Sequence, residues 1–435
     1  MSVLSREGCI VNIDTLTQSH IDELTVSKAA SVYYPEVQQF EVFLQREDGK
    51  VIVPRYWGKC NIGITCKSFG HVYSASRLVF QGSLRSDLQQ AAASKSVEQL
   101  KYRGGGVMCI ATGIGKTVIA LHVACTLRLK TLVVVHKQFL LDQWTDRINQ
   151  FVPLARIGRL QQNTVDTKGR DIIVGMLQSI AMHEYDPTIF DGIGLVIFDE
   201  VHVVPTPVFS RALIKLSVPY FLGLSATPER RDGLSRVIHW FIGPTFFQHY
   251  LRDRKEVTVR VVPFNVRGLR PPKKAGVINV MAVTTILSKI RSRNALLVDA
   301  VCTLVKDGHK VMLLSDRRLH CETLVGQLRL LDVQSALYIG GMKTHELARS
   351  IKSNVLLSTF AMAKEGLDIP ALDALVLASP RSDVVQACGR ILHGANEVSR
   401  LPPVIVDVVD QWHIGHAQFD KRKAYYDHAG FTICW

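Results

Sequence analysis

Two short stretches of this sequence place chemically capable residues in a telling order. The first is ATGIGKT, Ala111 to Thr117, which follows the apolar run VMCI and precedes VIALHVACTLRL. Strand, glycine-rich turn and helix is the arrangement in which backbone N–H groups cradle phosphate oxygens. Thr112, Gly113, Ile114 and Gly115 would form the turn, with the two glycines freeing the backbone to converge on an anion. The start of the following helix adds partial positive charge. Lys116 would reach the outer phosphates of a nucleotide, and Thr117 would offer its hydroxyl to Mg²⁺. The full phosphate-loop pattern puts glycine at position 110, where this chain has Ile110. The second stretch is LVIF, which runs directly into Asp199, Glu200, Val201 and His202. Carboxylates at the C-terminal end of a parallel strand sit where open α/β sheets bind ligands. Asp199 would hold Mg²⁺ through oxygen, Glu200 would orient and deprotonate a water, and His202 would relay the nucleotide state to neighbouring segments. An acidic pair after a strand also serves as a helix cap. The cradle upstream is what favours chemistry here.

The elements that must position these groups follow from hydrophobic patterning. Between 81 and 250, the short apolar runs GVMCI, TLVVV, DIIVG, LVIF and YFLGL alternate with helical stretches. They lack polar alternation, as strands buried on both faces do, so a parallel sheet covered by helices is implied. VIALHVACTLRL and KQFLLDQWTDRI read as covering helices. The rhythm resumes later: TTILSKIRSRNALLVDAVCTLV reads as a helix, and KVMLLS, SALYIG, NVLLST, ALVLAS and PVIVDV read as strands of a second α/β domain. Between the halves, residues 252–274 carry eight basic residues and Pro271-Pro272. This segment reads as a connection, part strand and part linker, either a solvated tether or a phosphate contact. The first 80 residues differ again. FEVFLQ and KVIVPRYW read as strands, with Glu47, Asp48 and Gly49 as a hairpin turn.

Composition narrows the function classes. The 435-residue chain has a formal net charge of +14, which favours polyanionic partners. No run of about 18 apolar residues suggests a spanning helix, and MSVLSREGCI lacks a signal-peptide pattern. The expectation is an intracellular protein, nuclear or cytoplasmic, with no membrane partner. The nine cysteines contain no CxxC pair, so free thiols are the simpler reading, although Cys60 and Cys66 are close enough to share a metal. Trp57, Trp144, Trp240, Trp412 and Trp435 could stack on bases or pack in the core. The C-terminal KRKAYYDHAGF reads as a closing helix or a nucleic-acid contact.

Taken jointly, these motifs resemble a superfamily 2 DExH-box helicase, of the XPB and phage UvsW branch and the poxvirus- and iridovirus-type helicases. The resemblance spans roughly residues 78 to 430. It implies two tandem RecA-like parallel-sheet domains: an accessory block at 1–80, an ATP-binding domain at 81–255, a linker at 256–280 and a C-terminal domain at 281–435. ATP, with Mg²⁺, would lie between the two domains. LRSDLQQAA resembles the adenine-reading segment, with Gln89, or its neighbour Gln90, on the adenine edge and Arg85 and Phe80 nearby. VVVHKQFLLDQW and VGMLQSIA resemble backbone-contacting segments, which assigns His136, Lys137, Gln178 and Ser179 to nucleic acid. LSATPERRDG resembles the coupling motif, with Ser225 and Thr227 linking the acidic pair to domain closure. STFAMAKEGLDIP places Thr359 on a nucleic-acid phosphate, and Gly366 and Asp368 near the ribose and γ-phosphate. QACGRILH resembles the arginine-finger motif through Gln386, Gly389 and Arg390, with His393 where the family commonly has arginine. That exchange matters because a supplied arginine stabilises transferring phosphoryl charge, which a neutral imidazole does not.

The resemblance therefore implies an ATP hydrolase that moves on or unwinds nucleic acid, DNA favoured over RNA, with transcription or replication proteins as partners. Two rivals remain: a nucleotide-gated nucleic-acid-binding factor with weak or lost hydrolysis, and a small-molecule P-loop kinase. The kinase leaves the second α/β domain and the basic balance unexplained.

Overall fold

The computed structural model describes residues 2–5, 8–28, 38–63, 66–68, 71–111, 114–203, 206, 209–216, 218–226, 234–249, 257–265, 271–274, 277–364, 369, 372–394, 401–411 and 413–435. The chain divides into two units, Met1–His249 and Tyr250–Trp435.

The first unit is built on an eight-stranded sheet. Its order is Thr164–Asp166, Ile157–Gln161, Ile172–Met176, Thr131–Val135, Leu195–Phe198, Tyr220–Ser225, Gly105–Ile110 and Thr245–His249. Every pairing is parallel except that of the first two strands, which form an edge hairpin. The central strands read as unbroken apolar runs because helices cover both faces, and Thr131–Val135, Leu195–Phe198 and Gly105–Ile110 are buried throughout. Among the covering helices, Lys116–Leu127 and Gln138–Phe151 were both legible.

The N-terminal block adds a five-stranded, mostly antiparallel sheet that shares the first unit's core. Leu44–Gln45 and Lys50–Val53 form the expected hairpin around Gly49, but FEVFLQ is broken: Gln38–Glu41 pairs instead with Thr25–Lys28 in a separate two-stranded sheet. KVIVPRYW is not one strand, however. The strand stops at Val53, Pro54 caps the next element, and Arg55–Asn61 is a helix. Proline lacks the N–H needed to extend a ladder and is well placed to start a helix. That helix docks the block. The Arg55 guanidinium donates to the carbonyls of Val218 (2.8 Å) and Pro219 (3.2 Å). The Tyr56 hydroxyl donates to the carbonyls of Arg103 and Gly105. These carbonyls lie where strands Tyr220–Ser225 and Gly105–Ile110 begin, at the opposite end from Lys116.

The second unit carries a seven-stranded sheet, parallel throughout. Its order is Ser335–Tyr338, Val355–Thr359, Val311–Ser315, Ala374–Leu377, Val404–Asp410, Thr258–Phe264 and Thr432–Cys434. Within the segment read as part strand and part linker, residues 258–264 are the strand, pairing with Val404–Asp410 along seven residues. Their alternation of buried and exposed positions suits a strand near the sheet edge. TTILSKIRSRNALLVDAVCTLV also divides, into helices Val280–Leu287 and Arg291–Lys306. KRKAYYDHAGF lies largely in helix His413–Ala429, which packs on the sheet through Phe419 and Tyr426.

Two buried ion pairs tie these helices to strand Val404–Asp410. The Arg293 guanidinium donates to both oxygens of Asp410 (2.7 and 3.0 Å) and to the Ala378 carbonyl (2.7 Å). Arg422 donates to both oxygens of Asp407 (2.8 and 2.9 Å), which also accepts from the Tyr426 hydroxyl. Beside the first pair, His320 lies between the Ser315 hydroxyl and the Asn294 side chain, 2.9 Å from each. Burial, reinforced by the Arg293 charge, pushes the His320 imidazole down to about 4.

Two outcomes follow. Asp410→Ala leaves Arg293 buried without its carboxylate and costs the second unit about 3–5 kcal/mol, measured as a lower urea midpoint. His320 is neutral when folded and titrates near 6.5 when unfolded. Its contribution is therefore full above about 6.5 and declines as the pH falls towards about 4. His320→Gln flattens the pH dependence of unfolding across that interval.

Candidate active site

The site grows from strand ends. Gly105–Ile110 and Leu195–Phe198 are not neighbours. Tyr220–Ser225 lies between them, all three parallel. Their C-terminal ends therefore deliver Lys116, Ser225 and the Asp199–Glu200 pair to one edge of one sheet.

Ile110 shows why the missing glycine is tolerated. It is the last residue of its strand, fully buried, with extended backbone. Its carbonyl accepts from the Lys116 ammonium at 3.2 Å. The turn proper needs glycine at 115, where φ is +91° and the residue caps the helix Lys116–Leu127. A Cβ there would stand 2.7 Å from Gln89 Nε2. Gln89 itself holds the turn. Its amide nitrogen donates to the Ile114 carbonyl (2.6 Å), and its amide oxygen accepts from the Arg85 N–H (2.7 Å). It is buried at the first turn of helix Asp87–Arg103, where Ser86 caps the Gln89 N–H. The residue expected to read adenine thus also braces the cradle, with one backbone bond at each end of an amide that can make more. Arg85 is exposed beside it, and Thr117, half-buried, follows Lys116 on the helix. Thr112 and Gly113 lie outside the described residues.

The acidic pair is only partly buried, Glu200 retaining 18% of its side-chain exposure, and it is electrically asymmetric. Glu200 has φ of +53°, an uncommon conformation for a side-chain-bearing residue, and its carboxylate lies 4.0 Å from the Lys116 ammonium. Burial pushes the Glu200 carboxyl up, but Lys116 and His202 outweigh it and hold the group below its usual range. Asp199 goes the other way: burial and the neighbouring Glu200 charge raise it, although Trp144 and Lys116 oppose them. The Trp144 indole donates to Asp199 Oδ2 at 2.8 Å. His202 Nδ1 stands 3.3 Å from Glu200 Oε2 and 3.4 Å from the Ser225 hydroxyl. Both distances are to the same ring nitrogen, so this imidazole stands between strand Tyr220–Ser225 and the acidic pair. Thr227 lies outside the described residues.

Behind this edge sit the expected nucleic-acid contacts. His136 and Lys137 follow strand Thr131–Val135, and Lys137 caps helix Gln138–Phe151 with its ammonium over the Phe139 ring. Burial, aided by Lys137, pushes the His136 imidazole down to about 4, so it is neutral at pH 7. Gln178 donates to the His136 carbonyl at 2.7 Å, joining the two segments. Ser179 is buried, and its hydroxyl accepts from the Gln162 N–H at 2.9 Å. It supports the edge hairpin instead of facing outward.

In the second unit, Thr359 ends strand Val355–Thr359 and its hydroxyl accepts from the Met362 N–H. Gln386, Gly389, Arg390 and His393 share helix Val385–Gly394; nothing is described of the Gln386, Arg390 and His393 side chains. Gly366 and Asp368 lie outside the described residues. Sequence reasoning missed the role of Trp144. Its spacing with Leu140, Leu141 and Ile148 marks an ordinary buried helix face, and only the fold shows what its N–H meets.

Comparison with known proteins agrees with this geometry. Residues 83–230 match the family model of the type III restriction enzyme res subunit. A candidate ATP-dependent RNA helicase of Acanthamoeba polyphaga mimivirus is 31% identical over 94% of this chain and 81% of its own length. The chain belongs to the superfamily 2 helicases of large DNA viruses. A candidate helicase of Invertebrate iridescent virus 6 is 27% identical to this helicase over 81% of the chain and 83% of its own length. Among solved structures, a putative HsdR subunit fragment of a Vibrio vulnificus type I restriction enzyme shares the helicase's fold. Its TM-score is 0.58 at 18% identity, covering 82% of this chain and 69% of that one. Yeast Dbp5 bound to RNA and ADP BeF3 gives 0.53 at 13%, covering 80% and 89%. The tandem RecA-like architecture is thereby established.

The glycine at the cradle yields a direct test. Gly115→Ala forces a side chain into left-handed backbone, at a cost of about 1–2 kcal/mol, and crowds Gln89. Nucleotide affinity is expected to fall about tenfold or more in a fluorescent-nucleotide titration, while the thermal unfolding of the second unit is unchanged.

Proposed function

We propose that this helicase hydrolyses ATP to move along a single nucleic-acid strand. The observation that carries the reading is the juxtaposition of Lys116 and Glu200 at 4.0 Å, at the end of parallel strands. Lys116, at a helix N-terminus, suits the charge of the outer phosphates. Glu200, held ionised beside it, suits acceptance of a proton from an attacking water. Asp199 and the Thr117 hydroxyl are hard oxygen donors, and two carboxylates against one ammonium leave negative charge to be balanced, so the set fits Mg²⁺. When bound, Mg²⁺ would neutralise phosphate charge developing during transfer. Gln89 keeps the cradle in shape. His202 and Ser225 carry the state of Glu200 to the neighbouring strand. Arg390 is assigned as the arginine finger and Gln386 as its companion on the motif they match, and Gly366 and Asp368 as nucleotide contacts on the same ground.

His136, Lys137, Gln178 and Thr359 are the proposed strand contacts, with Ser179 supporting them from beneath. Such contacts read backbone and carry little sequence information. DNA is the polymer expected from the XPB and UvsW resemblance. The mimivirus relative is named for RNA, which makes RNA the alternative. A nucleotide-gated binding factor is the second reading, favoured by His393 at the usual arginine position.

Steady-state ATP turnover, assayed with single-stranded DNA, duplex DNA and RNA, separates these readings. Stimulation by single-stranded DNA above RNA supports the proposal, and the reverse order reassigns the polymer. Glu200→Gln is expected to lower turnover about 10²–10⁴-fold with nucleotide binding retained, whereas Lys116→Ala loses both. Strand binding without turnover in the natural protein, with turnover restored by His393→Arg, would favour the gated factor.

A further inference from the structure

Trp144 lies two turns into the helix Gln138–Phe151, which starts at the strand-end pair His136–Lys137. It is almost completely buried, on the same helix face as Leu140, Leu141 and Ile148. Those neighbours show that aliphatic side chains fill this face, so packing alone does not call for an indole. Indole nitrogen is a donor only, and a buried donor needs a partner. Here the partner is the side-chain Oδ2 of Asp199, at 2.8 Å. A bond from a neutral N–H to a partly buried carboxylate is charge-assisted and directional. It commits one Asp199 oxygen and restricts rotation of the carboxylate. Backbone holds the same residue from the other side, because the Asp199 N–H donates to the Val134 carbonyl at 3.0 Å. Val134 lies two residues before His136 on the strand that leads into this helix.

The topology therefore joins two places by a short rigid path. One is the strand end carrying His136 and Lys137, further braced by Gln178 through the His136 carbonyl. The other is the acidic pair. We propose that Trp144 is a positioning residue: its indole N–H sets the orientation of the Asp199 carboxylate for a magnesium–nucleotide complex and ties that orientation to the helix behind His136–Lys137. The inference rests on the proposed ATP site and deepens it by naming how strand contact is read there. A strand that shifts His136–Lys137 moves the start of the helix, and the indole donor moves with it.

The test uses the full chain and Trp144→Phe, which keeps an aromatic ring and removes the N–H. If that variant does not fold, benzothienylalanine at position 144 keeps both rings and replaces the N–H with sulfur. Binding of a fluorescent ATP analogue is titrated against Mg²⁺, with and without a single-stranded oligonucleotide. Partners that orient a metal-ligating group are typically worth about 10–100-fold in metal affinity. The half-saturating Mg²⁺ concentration is therefore expected to rise at least about tenfold, while binding without Mg²⁺ is unchanged. The oligonucleotide is expected to lower the half-saturating Mg²⁺ in wild type and to leave it unaltered in the variant. A purely structural Trp144 would lower the unfolding temperature without selectively shifting the Mg²⁺ dependence. Wild-type Mg²⁺ dependence in the variant overturns the positioning role. A strand response absent from wild type, or kept in the variant, overturns the link. A wild-type chain with no Mg²⁺-dependent nucleotide binding overturns the ATP-site reading itself, and this inference with it.

Discussion

The charges at one edge of the first sheet set the terms for everything around them. Two partly buried carboxylates beside a buried ammonium are costly unless each has a close partner. Lys116 answers that requirement twice, through the Ile110 carbonyl and Glu200. Asp199 answers it through Trp144, and Glu200 through His202. Such partners must arrive within a few ångströms from three separate stretches of chain, 110–116, Trp144 and 199–202. That is possible only if the strands behind them end together, so the parallel order of the central strands is a condition of the charge cluster.

The same cluster explains the division of labour among polar side chains. Gln89 and Ser179 both match family segments that touch ligand, yet both are occupied by backbone. Gln89 ties helix Asp87–Arg103 to the cradle through the Ile114 carbonyl, next to the left-handed turn at Gly115. Ser179 holds the edge hairpin against helix Leu177–Met182. Neither assignment is wasted, since a cradle and a contact surface both need fixing before they can bind.

The second unit uses a related device. Arg293–Asp410 and Arg422–Asp407 are buried bidentate pairs, and both carboxylates lie on strand Val404–Asp410. That strand is flanked by Ala374–Leu377 and by Thr258–Phe264. One rod of the sheet thus anchors a helix near the start of the unit and the helix that closes it. Removing either carboxylate would strand a guanidinium in the core.

Much of this was legible in the residues. The apolar runs with no polar alternation announced strands covered on both faces, and ATGIGKT and Asp199-Glu200 announced the phosphate and acidic groups, because those chemistries depend on residue type and local spacing. Boundaries were less legible. Thr258–Phe264 sits in a basic stretch read as part strand and part linker, and only its pairing with Val404–Asp410 and Thr432–Cys434 shows which part is strand. Pro54 turned half of an apparent strand into a docking helix. Local sequence determined which groups exist and which backbone turn presents them. Tertiary structure alone decided that Tyr220–Ser225 lies between the cradle and the acidic pair, that Trp144 meets Asp199 and that Gln89 braces Ile114. Those partners are distant in sequence, and hydrogen bonds depend on proximity in space, which no local pattern encodes.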